Sequence, residues 1–248
     1  MKETKLPLQN KNIIMTRAKD QTAEAKIIFK NAGAVIFDLP ALIIDYPDNI
    51  TTLDKVIAEI DKFDWIIFLS SNGIKYLDKR LCDKDSSLKT CSHDLNIAVV
   101  GEKTAKYLSN TGIIADYVPP DFMAESLVKN FPYPLKDLQI LIPRVQSGGN
   151  NLIIEKLSSS GALVKEVAVY ESRCPESIPL ETINAFKSKT IDAILFSSGK
   201  TVKNTAFLLQ KHFGIEWKDI LREVKLFSIG PQTTLECQRN FGRIDKEA

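Results

Sequence analysis

"DWIIFLSSNG" at Asp64–Gly73 and "DAILFSSGKT" at Asp192–Thr201 are two versions of one pattern. Each has an acidic residue, a short apolar run suited to a strand, and a turn rich in serine and glycine. Asp64 falls over Asp192 and Ser70 over Ser198, both at an offset of 128 residues. The agreement extends outward in both directions. Upstream, "NIIMTRAKD" (Asn12–Asp20) returns as "QILIPRVQS" (Gln139–Ser147), placing Arg17 over Arg144, and "NAGAVIFDL" returns as "SSGALVKEV", placing Gly33 over Gly161. Downstream, "VVGEKTA" returns as "SIGPQTT", placing Gly101 over Gly230 and Thr104 over Thr233. Landmarks in the same order at a nearly constant spacing define an internal repeat.

Within each repeat, short β-rich runs alternate with segments of helical period, the pattern of βαβ units around a parallel sheet. The fold class is α/β with two doubly wound parallel sheets. Asp20 or Gln21 opens the first helix, and Gly33 and Gly161 stand where a helix needs a left-handed residue at its end. Strands follow through Ala34–Leu39, Trp65–Leu69 and Asn96–Val100, each leading into a helix. Pro231 takes the first turn of the last helix, where its missing N–H costs nothing. "LPALIIDYPD" (Leu39–Asp48) and "VAVYESRCPES" (Val167–Ser177) break the alternation, and as extended, Pro-bounded stretches they read as inter-domain connections.

Composition narrows the function. The 248 residues are 44% hydrophobic and 26% charged, as in a globular chain of two modest domains. Lys and Arg number 33 against 31 Asp and Glu, too even a balance to predict nucleic-acid or anionic-membrane partners. No apolar run approaches the ~20 residues of a membrane span. "MKETKLPLQNKN" lacks the apolar core of a secretory signal, so a cytoplasmic or plastid-stroma-like location is expected. Cys82, Cys91, Cys174 and Cys237 have no CxxC spacing, and neither His93 nor His212 completes a ligand pattern, which predicts reduced thiols and no metal.

Ligands of doubly wound sheets gather at the carboxyl ends of the strands. The residues there are small, hydroxylated, amide-bearing or basic: Arg17 and Arg144; Ser70, Ser71, Asn72 and Gly73 against Ser197, Ser198, Gly199 and Lys200; Gly101, Lys103 and Thr104 against Gly230, Thr233 and Thr234. Backbone N–H groups and hydroxyls at helix starts hold carboxylates or phosphates, so these turns predict an oxyanion-rich ligand. Helix capping alone would also account for Ser70, Ser71, Asn72, Thr104 and Ser198. The two arginines either present guanidinium forks to ligand carboxylates or pair with Asp38 or Asp192. No GxGxxG, Walker-A, GxSxG or HExxH motif is present, and "SSGKT" lacks the earlier Walker-A glycine. Such a chain must work mainly by positioning and shaping its substrate.

"IIMTRAKD", "FLSSNG", "VVGEKTA", "ILIPRVQSGGNNLIIEKLSSSGALVKEVAVYES", "DAILFSSGKTV" and "FSIGPQTT", in that order, resemble the uroporphyrinogen-III synthase family over essentially the whole chain. The resemblance implies two flavodoxin-like domains joined by a two-stranded β-ladder: 1–39 with 171–248 as one domain, 43–167 as the other, and 40–42 with 168–170 as the ladder. It implies hydroxymethylbilane, a linear tetrapyrrole with eight carboxylates, as the substrate in a cleft between the domains. The reaction closes the ring with loss of water and inversion of ring D. It further implies no cofactor, a monomer, and at most a transient contact with the preceding enzyme of the pathway. Tyr170 matches the family's cleft tyrosine and is the candidate acid, with an ordinary strand aromatic as the alternative. Ser70, Thr104, Ser197, Thr233 and Thr234 match cleft-lining positions.

Two departures stand out. Leu69 occupies a place where the family commonly has threonine. "IIADYVPPDFMAESLVKNF" has no full counterpart after "IGPQTTLECQRNFGRIDKEA", so the first domain's sheet is expected to expose apolar surface where a last helix would pack. The competing function is a non-catalytic two-domain protein that binds a tetrapyrrole or another anion.

Overall fold

The computed structural model describes residues 6–17, 22–121, 123–148 and 151–248. In chain order the elements are β1 (Asn12–Met15), α1 (Ala23–Asn31), β2 (Val35–Asp38), β3 (Ile43–Asp45), α2 (Thr51–Ala58), β4 (Trp65–Phe68), α3 (Ser71–Cys82), α4 (Leu88–Cys91), β5 (Asn96–Val99), α5 (Glu102–Asn110) and α6 (Ala124–Lys129). There follow β6 (Gln139–Val145), α7 (Leu152–Ser159), β7 (Leu163–Arg173), α8 (Leu180–Lys187), β8 (Ala193–Phe196), α9 (Gly199–Phe213), β9 (Lys225–Ser228), α10 (Pro231–Phe241) and β10 (Lys246–Glu247). The expected helix start at Asp20 or Gln21 lies outside the described residues.

The chain divides into two compact units, residues up to Ile44 with Arg173–Ala248, and Asp45–Ser172. The first unit's sheet runs β10-β9-β8-β1-β2 and the second's β3-β7-β6-β4-β5. All pairings along the first sheet are parallel, as are those from β7 through β6 and β4 to β5. Each unit thus takes strands from both repeats. The Leu39–Asp48 stretch supplies β3, which lies beside β7 at the edge of the second sheet.

Strand sequences explain the burial. "WIIF" of β4 is buried at all four positions, the near-continuous apolar run of a parallel strand covered on both faces. In the first unit one face packs Ile14, Ile194, Phe196 and Leu226 against Phe186 of α8, Val202 and Leu209 of α9, and Cys237 and Phe241 of α10. All four cysteines are unpaired, and burial pushes the Cys237 thiol up to about 12. The opposite face carries α1, which has no fully buried residue and leaves Ile27 and Ile28 exposed. In the second unit the corresponding face carries α6 packed on α7, which together cover Trp65, Ile67, Ala98, Ile140 and Ile142.

Repeat-related details recur at the amino ends of the strands. Asp192 accepts the Asn12 N–H at 2.8 Å and Asp64 accepts the Gln139 N–H at 2.7 Å. Asp245 accepts the Leu226 N–H at 2.9 Å and Asp116 the Ile97 N–H at 2.7 Å. That last pair carries the repeat past its expected end, as does the pairing of Tyr117 with Ala98 beside that of Lys246 with Phe227. Gly33 and Gly161 follow their helices with φ of 96° and 93°, and a Cβ would lie 3.0 Å from Gln9 Cα or 3.2 Å from Lys136 Cα. Only glycine takes that backbone at so close an approach without strain.

Candidate active site

Each unit presents its own row of strand-tip residues. In the second unit Ser70, two residues past β4, is extended and caps α3, its Oγ accepting the Gly73 N–H at 3.1 Å. Ser71 and Asn72 occupy the first turn, half-buried. Gly101, with φ of 107°, opens α5; Lys103 is exposed and Thr104 is buried against the sheet. Tyr170 lies on β7 with its hydroxyl 3.2 Å from Ser70 Oγ. Its ring stacks on that of Tyr76 at 5.9 Å between centroids, and Tyr46 meets Tyr76 edge-on at 5.3 Å. Burial, with Asp83 adding to it, pushes the Tyr46 phenol up to about 12, so the far end of this aromatic row stays neutral.

Arg144 lines a pocket of about 420 Å³ with Gln146, Gly148, Asn151 and Glu166. It pairs with Glu166 and donates to the Gly148 carbonyl at 3.1 Å and to Asn151 Oδ1 at 3.0 Å. The partners expected for the two arginines are engaged elsewhere: Asp38 pairs with Lys26 and Asp192 with Lys11. Topology explains the difference for Asp192. It precedes β8 whereas Arg17 follows β1, so on parallel strands they stand at opposite ends.

In the first unit Arg17 is exposed and shares a largely apolar pocket of about 360 Å³ with Met15, Phe29, Leu195, Phe227 and Ile229, rimmed by Ser197. Ser198 and Thr201 form a reciprocal capping box at the start of α9, followed by Gly199 and the exposed Lys200. Gly230 opens α10 with an extended backbone, and Thr233 is buried. Thr234 is committed to Ser228 and Glu247. The capping reading therefore describes Ser70 and Ser198, whereas Ser71, Asn72, Ser197 and Arg17 leave polar groups at the tips.

Sequence reasoning missed Tyr76, Glu166 and Asn151. The repeat guided the search, and Tyr76 breaks it: its counterpart at the same offset is Asn204. Its position on the buried face of α3, beside Gly73 and Leu77, was the available signal.

A sequence-family model described as "Uroporphyrinogen-III synthase HemD" matches residues 20–246. The chain belongs to the uroporphyrinogen-III synthase family. It is 41% identical over 244 residues to the uroporphyrinogen-III synthase of Synechococcus elongatus, covering 98% of this chain and 91% of that one. Among solved structures it is similar to uroporphyrinogen-III synthetase from Helicobacter pylori, at a TM-score of 0.61 and 19% identity over 96% of this chain and 92% of that one. It is also similar to a mutant uroporphyrinogen III synthase from Thermus thermophilus, at a TM-score of 0.55 and 15% identity over 96% of this chain and 91% of that one. At those identities the solved structures speak for the fold, two α/β domains. Among the described residues no helix is long and apolar enough to cross a membrane.

Proposed function

We propose that this chain is a cyclising lyase that converts hydroxymethylbilane to uroporphyrinogen III. The observation that carries the reading is the family match across residues 20–246, joined to a phenol set among hydroxyls and amides at the strand tips. In this reading the hydroxymethyl oxygen leaves as water, the substituted carbon of ring D attacks the resulting azafulvene, and the spiro intermediate fragments and recombines with ring D inverted. Tyr170 gives its proton to the departing oxygen. The substrate's carboxylates are taken up by Arg17, Ser71, Asn72, Lys103, Ser197 and Lys200 and by the N–H groups of the turns at Gly101, Gly199 and Gly230. Arg144, tied to Glu166, shapes its pocket and offers its remaining guanidinium edge. Thr104 and Thr233 line the tips beneath. The enzyme acts without a cofactor, as a monomer in the cytoplasm, and touches the preceding enzyme only in passing.

The bilane also closes unaided to the uninverted isomer, so catalysis here means directing as well as accelerating closure. The deciding experiment incubates the protein with hydroxymethylbilane and separates isomers I and III by chromatography. Isomer III in excess over background supports the reading. Isomer I alone, at the uncatalysed rate, would leave a non-catalytic tetrapyrrole- or anion-binding protein.

A further inference from the structure

Ser70 stands among the residues matched to substrate binding, yet its hydroxyl is already engaged on two sides. A serine hydroxyl offers one proton and two acceptor sites. One acceptor site takes the Gly73 N–H at 3.1 Å, and the Tyr170 hydroxyl lies 3.2 Å away. The placement is firm. A Cβ on Gly73 would sit 3.1 Å from the Pro143 carbonyl, so the glycine lets the first turn of α3 rest directly on β6, the neighbour of β7. Tyr76, buried on α3, stacks on the Tyr170 ring at an interplanar angle of 29°.

We infer that Ser70 and Tyr76 are positioning residues that hold Tyr170 as a proton donor, Ser70 by donating its hydroxyl proton to Tyr170 Oη and Tyr76 by fixing the ring plane. A phenol oxygen that accepts from Ser70 turns its own proton outward, toward the substrate. When the C–O bond of the hydroxymethyl group breaks, that proton leaves with the oxygen as water. The phenolate left behind keeps the Ser70 hydrogen bond, next to the positive end of a 12-residue helix. The proton released when the last pyrrole regains aromaticity restores the phenol. This rests on Tyr170 being the acid.

The test is steady-state kinetics on hydroxymethylbilane, with background closure subtracted and folding checked by circular dichroism. Ser70→Ala, Ser70→Thr, Tyr76→Phe and Tyr76→Leu are each made in the wild-type and Tyr170→Phe backgrounds. Ser70→Ala lowers kcat about threefold to tenfold, the worth of one hydrogen bond, and leaves KM unchanged; Ser70→Thr restores the rate. Tyr76→Phe keeps the stack and the rate, whereas Tyr76→Leu lowers kcat. Neither Ser70→Ala nor Tyr76→Leu slows the Tyr170→Phe enzyme further. A raised KM at constant kcat in Ser70→Ala would make Ser70 a substrate ligand and overturn the inference, as would equal slowing in both backgrounds. Tyr170→Phe with an unchanged rate fails differently, because it removes the acid itself.

Discussion

The two sheets share a repeat yet differ on one face. In the second unit α6 and α7 together bury Ile67 and Ala98 completely, while in the first unit, among the described residues, Phe29 of α1 and Leu8 pack with their counterparts Leu195 and Phe227, which remain partly exposed beside Ile229. α7 buries Ile153 and Leu157, but α1 buries none of its residues. The same strand pattern thus yields a closed core in one unit and an open apolar pocket in the other. The covering helices differ, and with them one strand residue, Ala98 against Phe227.

That contrast is sharpest in stability. Ile67→Ala empties a closed core and should cost about 2–5 kcal/mol, whereas the matched Leu195→Ala should cost about 1 kcal/mol. Denaturant titration of both variants checks this; equal losses would mean that the first unit's face is as well packed as the second's. Next come the paired glycines. Gly33→Ala and Gly161→Ala force a side chain into left-handed backbone against close neighbours, at about 1–2 kcal/mol each. Gly33, with two approaches at 3.0 Å, should be the worse. A stabilising effect at either position would contradict the geometry.

The smallest effect concerns acid. Burial pushes the Asp192 carboxyl up, but the hydrogen bonds from Lys11 and the Asn12 N–H outweigh it and leave it below the ordinary value. A depressed carboxylate contributes stability that is present above its unfolded value of about 3.9 and is lost as pH falls through the folded one. Asp192→Asn should therefore lower stability at pH 7, by up to about 1 kcal/mol, and flatten its decline in acid. Urea midpoints of Asp192→Asn and of the wild type at neutral and acid pH check this, and an unchanged decline in acid would contradict it.

The strands, the capping serines and the paired glycines were legible because each depends on local sequence: period-two apolar runs, a Ser after a strand, a Gly after a helix. The unequal faces were legible only as the missing counterpart of "MAESLVKNF". The Tyr76 stack was not legible, because it joins residues of separate elements and has no repeat counterpart, whereas the Arg144–Glu166 pair occupies the repeat places of Arg17 and Asp38 and could have been read from the alignment. Of the two carboxylates offered as alternative partners of the arginines, Asp192 stands at the far end of the parallel strands and Asp38, at the same end as Arg17, is engaged by Lys26, neither of which charge alone shows.

The repeat also fails at Tyr170, whose counterpart at the offset of the flanking pairs Gly33/Gly161 and Asp64/Asp192 is Leu42. The phenol proposed as the acid thus belongs to the second unit, with no repeat-related tyrosine in the first. The direct test is Tyr170→Phe, followed both by the rate of hydroxymethylbilane consumption and by the ratio of isomer III to isomer I after subtracting background closure. A phenol that assists a substrate already prone to lose water predicts a slower but not abolished reaction in which isomer III still dominates. An unchanged rate would contradict the assignment and leave Tyr170 an ordinary strand aromatic, and a normal rate with mostly isomer I would show that it steers ring D instead of donating a proton.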